Sequence, residues 1–305
     1  MVELWPPRVT VPSSDGVGVV LHHLVDGPLD GPVLIAHATG YHGLAYGPLA
    51  AVLGAGHDVW ALDSRGHGAT PPPPDPLTDW DGFGDDAAAA AAFVQQRAGA
   101  GSGGRPGLLG FGHSMGGAAL LMAAHRDPAL FRTLVLFEPI VFPMVTDDVD
   151  DVHDADPADS PLVLGARRRR ARFESYEYAI ANYASKPPMR SFVPAALEAY
   201  VRGGLAPIDA DDPDGQVRLT CSPEFESATF ASSHASNAWD LLPAITTPTV
   251  VVGGAPADDN PPAAIAEPIA DRLGSGRYCF QPELDHFAPF VAPAQVAEII
   301  RESAG

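Results

Sequence analysis

The segment LLGFGHSMGGAALLMAAHRDP, from Leu108 to Pro128, places one serine between glycines at a junction of two patterns. An apolar run precedes Gly112, and an alanine-rich run with helical spacing follows Gly116. This is the G-x-S-x-G arrangement of a serine on a sharp strand-to-helix turn, whose strained backbone requires small residues two positions away. The pattern predicts that Ser114 is a nucleophile and that N–H groups at the helix start help to hold an oxyanion.

Short apolar runs alternate with helical segments through much of the chain. The alternation predicts βαβ units and a mostly parallel sheet, whose chemistry lies at the carboxyl ends of the strands. We expect a hairpin that turns at 13–16, a helix at 80–99 and a helix at about 115–126. The predicted strands lie at about 31–37, 57–63, 107–112, 132–137, 247–254 and 277–282, with a helix at the C-terminal end.

The alternation stops between Pro139 and about Asn237, where the chain has an aspartate-rich stretch and several helical segments. We therefore expect a core made of residues 1–138 and 238–305, and a helical cap inserted as residues 139–237. The four arginines at 167–170 fall in this part and are expected on a surface helix paired with nearby acids.

Composition restricts the partners of the chain. Its 38 acidic and 18 basic residues give a formal charge of −20, which argues against nucleic acid, anionic membrane or a polyanionic substrate. No apolar stretch is long enough for a membrane span and no signal peptide is evident, so a cytoplasmic protein is expected, as a monomer or homodimer. We expect a small-molecule substrate.

No cofactor or metal is expected either. The glycines of 99–104 have G-x-G-x-x-G spacing, but they follow a predicted helix and precede a strand, which is the reverse of a dinucleotide loop and indicates a linker. Cys221 and Cys279 have no metal-like spacing and are expected to be buried or half-buried thiols.

A nucleophilic serine needs a base, and His286 in PELDHFAPF is the best placed histidine. It follows the last predicted strand and precedes the last helix, at the sheet edge where Ser114 also lies. The order serine, acid, histidine along the chain also places the base late in the sequence.

Four stretches together resemble the α/β-hydrolase-fold serine hydrolases that carry a helical cap, of the carboxylesterase and lipase kind. These stretches are HATGYHG at 37–43, DSRGHG at 63–68, GHSMGG at 112–117 and LDHF at 284–287. The resemblance implies a mostly parallel central sheet flanked by helices, and oxyanion amides from Thr39 and Met115. We interpret Asp63, Arg65 and His67 of the second stretch as a hydrogen-bonded structural turn.

The acid has two candidate positions. The usual family position follows the seventh strand, where VVGGAPADDNPP offers Asp258 and Asp259, although their distance from the glycine differs from the customary spacing. Glu138 ends the sixth strand, where some relatives carry their acid. A carboxylate at the end of an apolar strand is costly to bury unless it is paired, and an imidazolium is a fitting partner, so Glu138 is favoured.

These residues predict a serine hydrolase for a neutral, fairly apolar carboxylic ester, thioester or lactone. Alternatives are a carbon–carbon bond hydrolase of diketo acids, which would want cationic groups such as Arg190 or Arg202, and a small-molecule receptor without turnover. Epoxide hydrolases and dehalogenases are excluded, because those relatives attack with aspartate. Five candidate pocket residues are His113, Phe142, Tyr183, Trp239 and Phe287.

Overall fold

A central eight-stranded sheet organises the molecule. A computed structural model describes residues 6–27, 31–102, 107–143, 160–257 and 260–303 of the chain. The strands of the sheet are β1 (Arg8–Pro12), β2 (Gly18–Val25), β3 (Val33–Ala36), β4 (Val59–Asp63), β5 (Leu108–His113), β6 (Phe131–Phe137), β10 (Thr249–Gly253) and β11 (Gly276–Phe280). They lie in the order β1-β2-β4-β3-β5-β6-β10-β11. The pairs β1–β2 and β2–β4 are antiparallel, and every later pair is parallel.

Helices cover both faces of this sheet. The helices are α1 (Gly47–Leu53), α2 (Asp81–Ser102), α3 (Met115–Arg126), α4 (Pro161–Arg167), α5 (Tyr176–Ala184), α6 (Pro194–Gly204), α7 (Pro223–Ala231), α8 (Ala238–Leu241), α9 (Pro261–Arg272), α10 (Ala288–Val291) and α11 (Pro293–Ser303). One hydrophobic cluster joins the sheet to α2, α3 and α9, and a second joins it to α1 and α11. The predicted fold class, a mostly parallel sheet flanked by helices, is confirmed.

Strand β3 shows how the sheet contributes to both clusters. Leu34 and Ala36 pack in the first, whereas Val33 and Ile35 pack in the second. Side chains alternate along a strand, so a strand buried on both faces must be apolar at every position. All four of these residues are fully buried.

The predicted elements of the core are present, with ends that differ by up to three residues from those predicted. The hairpin turns at Ser14–Gly16, where Asp15 has φ 58°. Helix α2 continues to Ser102, so part of 99–104 is helical rather than a linker, because no proline stops the helix before Pro106. Residues 103–106 lie outside the described part of the chain.

Residues 139–237 between β6 and β10 are called the inserted segment here, and its described part covers 139–143 and 160–237. It contains α4 to α7 and a second sheet of three short antiparallel strands, β7 (Arg172–Phe173), β8 (Leu205–Pro207) and β9 (Val217–Leu219). The expectation of helices alone missed this sheet, because its strands are two or three residues long and β7 pairs with β9 from a distant part of the sequence. The aspartate-rich residues 147–159 lie outside the described residues.

The arginine run at 167–170 does not form one surface helix as expected. Helix α4 ends at Arg167, and Arg170 lies after it, exposed and paired with Glu174. Arg169 turns inward instead, because a buried carboxylate, described below, provides its partner.

Two further findings concern the chain as a whole. No helix in the ranges given above is long and apolar enough to cross a membrane. Cys221 is buried and Cys279 half-buried, and both are free thiols, as predicted.

Candidate active site

Ser114 lies on a strained turn between β5 and α3. Its backbone has φ 56° and ψ −120°, a conformation that costs energy for a residue with a Cβ. The neighbouring glycines are required sterically: a Cβ at Gly112 would lie 2.7 Å from the Cα of Gly117, and one at Gly116 would overlap the carbonyl oxygen of Ala36. The turn therefore depends on the small residues that the pattern predicted.

Glu138 follows β6 directly and is fully buried. Its backbone also has a positive φ, 43°, and its N–H donates to the carbonyl of Val252 at 2.8 Å. The Nδ1 atom of His286 lies 2.7 Å from Glu138 Oε2, and the side chain of His286 remains 19% exposed. A buried carboxylate thus orients an imidazole that solvent and small molecules can reach.

The second oxygen of Glu138 is held by the loop after β10. The backbone N–H of Gly254 and the side-chain Nδ2 of Asn260 each donate to Oε1 at 3.0 Å. Asn260 was not predicted, although it belongs to the loop in which Asp258 and Asp259 were considered as acids. Those two aspartates lie outside the described residues. The described part of this loop supplies hydrogen-bond donors to Glu138.

Aromatic rings surround His286. The ring of His113, which directly precedes Ser114, lies 4.8 Å from the His286 ring, and the ring of Phe287 lies 5.7 Å from it. Burial first, and then the charge that His286 can carry, hold the pKa of His113 well below its ordinary value. The His113 ring is therefore uncharged beside His286.

Thr39 and Met115 are the residues for which the resemblance implies oxyanion donors. Thr39 lies in the loop after β3, and Met115 is the first residue of α3. Within the described ranges, neither backbone N–H has a backbone acceptor. Both residues are buried, so an unpaired N–H at either position is an available donor.

A buried ion pair from the inserted segment lies on the loop that carries Thr39. Arg169 donates to the Glu226 carboxylate and, at 2.6 Å, to the hydroxyl of Tyr200. A Cβ at Gly40, whose φ is 77°, would lie 2.5 Å from Glu226 Oε1. Burial alone would lower the pKa of Arg169, but Tyr200 and Glu226 raise it well above its usual value, so the guanidinium stays charged. The sequence did not reveal this contact.

The remaining pocket candidates lie apart from one another. The ring of Phe142 stacks on His234 at 5.1 Å, and Tyr183 packs against Tyr200 at 5.6 Å, beside the ion pair. Trp239 instead carries the guanidinium of Arg272 on its ring, at a partly exposed surface. None of these contacts joins one of the three rings to Ser114.

The stretch DSRGHG forms a buried network at the end of β4. Asp63 accepts hydrogen bonds from the ring of His22 and from the backbone N–H groups of Gly43 and Ala69. Burial alone would raise the pKa of Asp63, but the hydrogen bond and charge of His22 outweigh burial and hold that pKa well below its ordinary value. Arg65 donates to Asp86 of α2.

Two buried histidines adjoin this network. Desolvation lowers the pKa of His37 to about 4 and that of His67 to about 3. Their rings lie 5.0 Å apart, and the N–H of Ser64 donates to His37 Nε2. Both imidazoles are therefore neutral members of the fold.

In the described ranges, one group of side chains is arranged as metal ligands could be: His23, Asp26 and Asp58. Its central carboxylate is already occupied, because His23 Nε2 lies 2.6 Å from one oxygen of Asp58 and Trp60 Nε1 donates to the other. These hydrogen bonds join side chains where β2 pairs with β4, and they account for the closeness of the three groups.

A mostly parallel sheet with a serine turn after β5, an acid after β6 and a histidine after β11 defines the α/β hydrolase class of fold. The comparison with known families agrees: the model of the alpha/beta hydrolase family matches residues 33–299. The chain belongs to this family, and membership of it supports a hydrolase.

Solved structures reproduce the fold over nearly the whole chain. An E-2-(acetamidomethylene)succinate hydrolase has 19% identity and a TM-score of 0.69, covering 98% of this chain and 99% of its own. A thioesterase domain from the curacin biosynthetic pathway has 19% identity and a TM-score of 0.68, with 97% and 99% covered. A thermophilic esterase from Thermogutta terrifontis has 20% identity and a TM-score of 0.65, with 97% of each chain covered. No curated protein sequence matches significantly.

Proposed function

We propose that this protein is a serine hydrolase that cleaves a neutral, fairly apolar carboxylic ester, thioester or lactone through an acyl-enzyme on Ser114. The observation that carries the proposal is the 2.7 Å hydrogen bond between His286 Nδ1 and the buried Glu138, at the sheet edge where Ser114 lies on a strained turn. An acid–imidazole pair at the same edge as a nucleophilic serine is the arrangement that acyl transfer requires.

In this mechanism Ser114 attacks the carbonyl carbon of the substrate, and His286 takes the hydroxyl proton. Nδ1 of His286 is engaged with Glu138, so Nε2 is the nitrogen left to accept this proton. The imidazolium then protonates the leaving group, and water releases the acyl group by the same route. Glu138 orients the ring and balances its charge.

The negative oxygen of the tetrahedral intermediate is held by the N–H groups of Thr39 and Met115. Both lie in buried surroundings, where a hydrogen bond to a developing charge is stronger than in water. Met115 also begins α3, and the positive end of that helix favours the oxyanion.

We propose that the inserted segment acts as a cap over this edge and selects neutral substrates. Its half-buried cation, Arg169, is already balanced by the buried Glu226, so it leaves no net charge for a substrate carboxylate. Arg202, suggested by the sequence as an anion ligand, is paired with Glu177 and Glu198. The formal charge of −20 also disfavours anionic substrates.

The likeness to an esterase and a thioesterase domain supports acyl transfer. The first structure named above is of a hydrolase of a succinate derivative, which leaves hydrolysis of an acid, including carbon–carbon bond hydrolysis, as the competing activity. A receptor without turnover is the competing role outside catalysis.

Labelling with a fluorophosphonate probe tests the nucleophile. We expect wild-type protein to be labelled, Ser114→Ala to be unlabelled, and Ser185→Ala, which changes an exposed serine of the inserted segment, to be labelled like wild type. Wild-type protein that resists the probe would refute the serine hydrolase and favour the receptor.

Hydrolysis rates test the substrate class. A panel of neutral esters of increasing acyl length, with matched thioesters and lactones, is compared with a hemiester that carries one free carboxylate. We expect kcat/KM for the neutral diester to exceed that for its hemiester at least tenfold. A preference for the hemiester, or cleavage of diketo acids alone, would contradict the proposed substrate.

A further inference from the structure

A buried chain of hydrogen bonds connects the loop after β3 with the ring beside His286. The backbone N–H of Ala38 donates to the hydroxyl of Tyr46 at 3.1 Å. The same hydroxyl lies 2.7 Å from His113 Nδ1, and the His113 ring lies 4.8 Å from the His286 ring. Tyr46 and His113 are completely buried. One hydroxyl thus joins two parts of the proposed site.

The hydrogen bonds of Tyr46 favour one position for the proton on His113. The Tyr46 oxygen accepts from Ala38, and His113 Nδ1 is the acceptor that the described residues offer to the hydroxyl hydrogen, so both groups are satisfied when Nδ1 is unprotonated. Burial raises the pKa of Tyr46 well above its ordinary value, so the hydroxyl keeps its hydrogen. His113 is accordingly neutral, with its proton on Nε2.

The surroundings of His113 favour the same state. Its ring packs against Phe137 at 5.9 Å and Phe290 at 5.8 Å. The titratable groups that act on it are Tyr46, His286 and, at longer range, His37. No carboxylate lies within hydrogen-bonding distance of it among the described residues to stabilise a positive charge.

We propose that Tyr46 is a positioning residue for the hydrolysis, an inference that rests on the function proposed above. Its hydroxyl holds Ala38, the residue before Thr39, and so fixes the oxyanion N–H. The same hydroxyl keeps His113 neutral against His286, so that an imidazolium forms on His286 without a second positive charge 4.8 Å away.

Tyr46→Phe tests this role, because it removes the hydroxyl and keeps the ring that packs on Phe290. We expect kcat to fall about tenfold with KM nearly unchanged, the size expected for one buried hydrogen bond left unmade. Tyr176→Phe is the matched control, since among the described residues its hydroxyl donates to the carbonyl of Leu205 in the inserted segment. An equal loss in both variants, or a change in KM alone, would overturn the proposal.

Substitutions of His113 separate positioning from packing. His113→Asn places an oxygen near the position of Nδ1 and should retain most of the activity, whereas His113→Leu should lose as much as Tyr46→Phe. The double variant Tyr46→Phe/His113→Leu should be no slower than either single variant, because both break one chain. If the double variant shows the product of the two single losses in kcat, Tyr46 and His113 do not act through one chain of hydrogen bonds.

Nitrogen NMR of His113 gives a readout that does not depend on turnover. Wild-type protein should show the neutral Nε2–H tautomer from pH 5 to pH 8, and Tyr46→Phe should lose that fixed tautomer. A wild-type His113 that titrates in this range would overturn the inference while leaving the serine hydrolase intact. Failure of wild-type labelling by the fluorophosphonate, with the tautomer as expected, would refute the hydrolase and with it the positioning role.

Discussion

Two of the carboxylate–histidine pairs on the central sheet have closely similar hydrogen bonds but different surroundings. His286 lies 2.7 Å from Glu138, and His22 lies 2.8 Å from Asp63. The side chain of His286 is 19% exposed, whereas that of His22 is 2% exposed. The two hydrogen bonds are therefore of the same kind. The pairs differ in the exposure of the imidazole, and so in whether a small molecule can reach it.

The carboxylates also differ in their backbones. Glu138 stands at φ 43° beside the strained serine turn, and Asp63 is the last residue of β4 in an ordinary extended strand. Strain of this kind persists where the surrounding structure holds a functional side chain in place. We infer that Glu138 orients a reactive imidazole, whereas Asp63 accepts hydrogen bonds from backbone N–H groups and stabilises a turn.

Glu138→Gln should have the largest effect on activity. Glutamine keeps an oxygen for Gly254 and Asn260, but its amide N–H₂ would face Nδ1 of His286 and favour the wrong tautomer. We expect kcat to fall roughly 10³- to 10⁴-fold, as for other triads, with a smaller loss of stability. Steady-state kinetics and urea unfolding measure the two effects.

The control for this prediction is the double change Asp258→Asn/Asp259→Asn. It removes the alternative acids and should leave kcat within a few-fold of wild type. If the double variant loses orders of magnitude while Glu138→Gln stays active, the acid has been assigned to the wrong loop.

Asp63→Asn should show the opposite profile. The carboxylate accepts three N–H groups in a buried site, so an amide there leaves donors facing one another. We expect the free energy of unfolding to fall by about 3–5 kcal/mol, as when one partner of a buried pair is removed. The kcat of the folded fraction should change less than tenfold, and a triad-sized loss of kcat would contradict the structural role.

Acid should weaken the network around Asp63. His37 and His67 have pKa values lowered to about 4 and about 3, so the unfolded chain binds protons below about pH 6.5 that the folded chain does not. The free energy of unfolding should therefore fall between pH 6.5 and pH 4, by about 3 kcal/mol for each imidazole. Urea unfolding at several pH values measures this, and His67→Asn should reduce the slope by one proton. If the free energy of unfolding of His67→Asn depends on pH as steeply as that of wild type, the protons bind to groups other than His67.

Asn260→Ala should have the smallest effect, since Glu138 Oε1 keeps the N–H of Gly254. We expect kcat to fall about tenfold, the effect of one hydrogen bond to a charged group. The matched control is Asn237→Ala, an exposed asparagine, which should retain wild-type kcat. Equal kcat in the two variants would show that Asn260 does not support the acid.

The core of the fold could be predicted because its signals are local. Apolar runs buried on both faces, such as 33–36, and the glycines around Ser114 have their effect within a few residues. The three-stranded sheet of the inserted segment could not, because Arg172 pairs with Arg218 across a long stretch of chain. Nothing near either residue marks them as strand partners.

The residue pattern was enough to predict the serine turn, to choose His286 by topology and to favour Glu138 at the end of β6. The groups that contact these residues became visible only in the folded chain: Asn260 on the acid, Tyr46 on His113, and the pair Arg169–Glu226 against Gly40. Backbone strain and strand burial follow from neighbouring residues, whereas a hydrogen bond between distant side chains exists only once the chain has folded and excluded water from both.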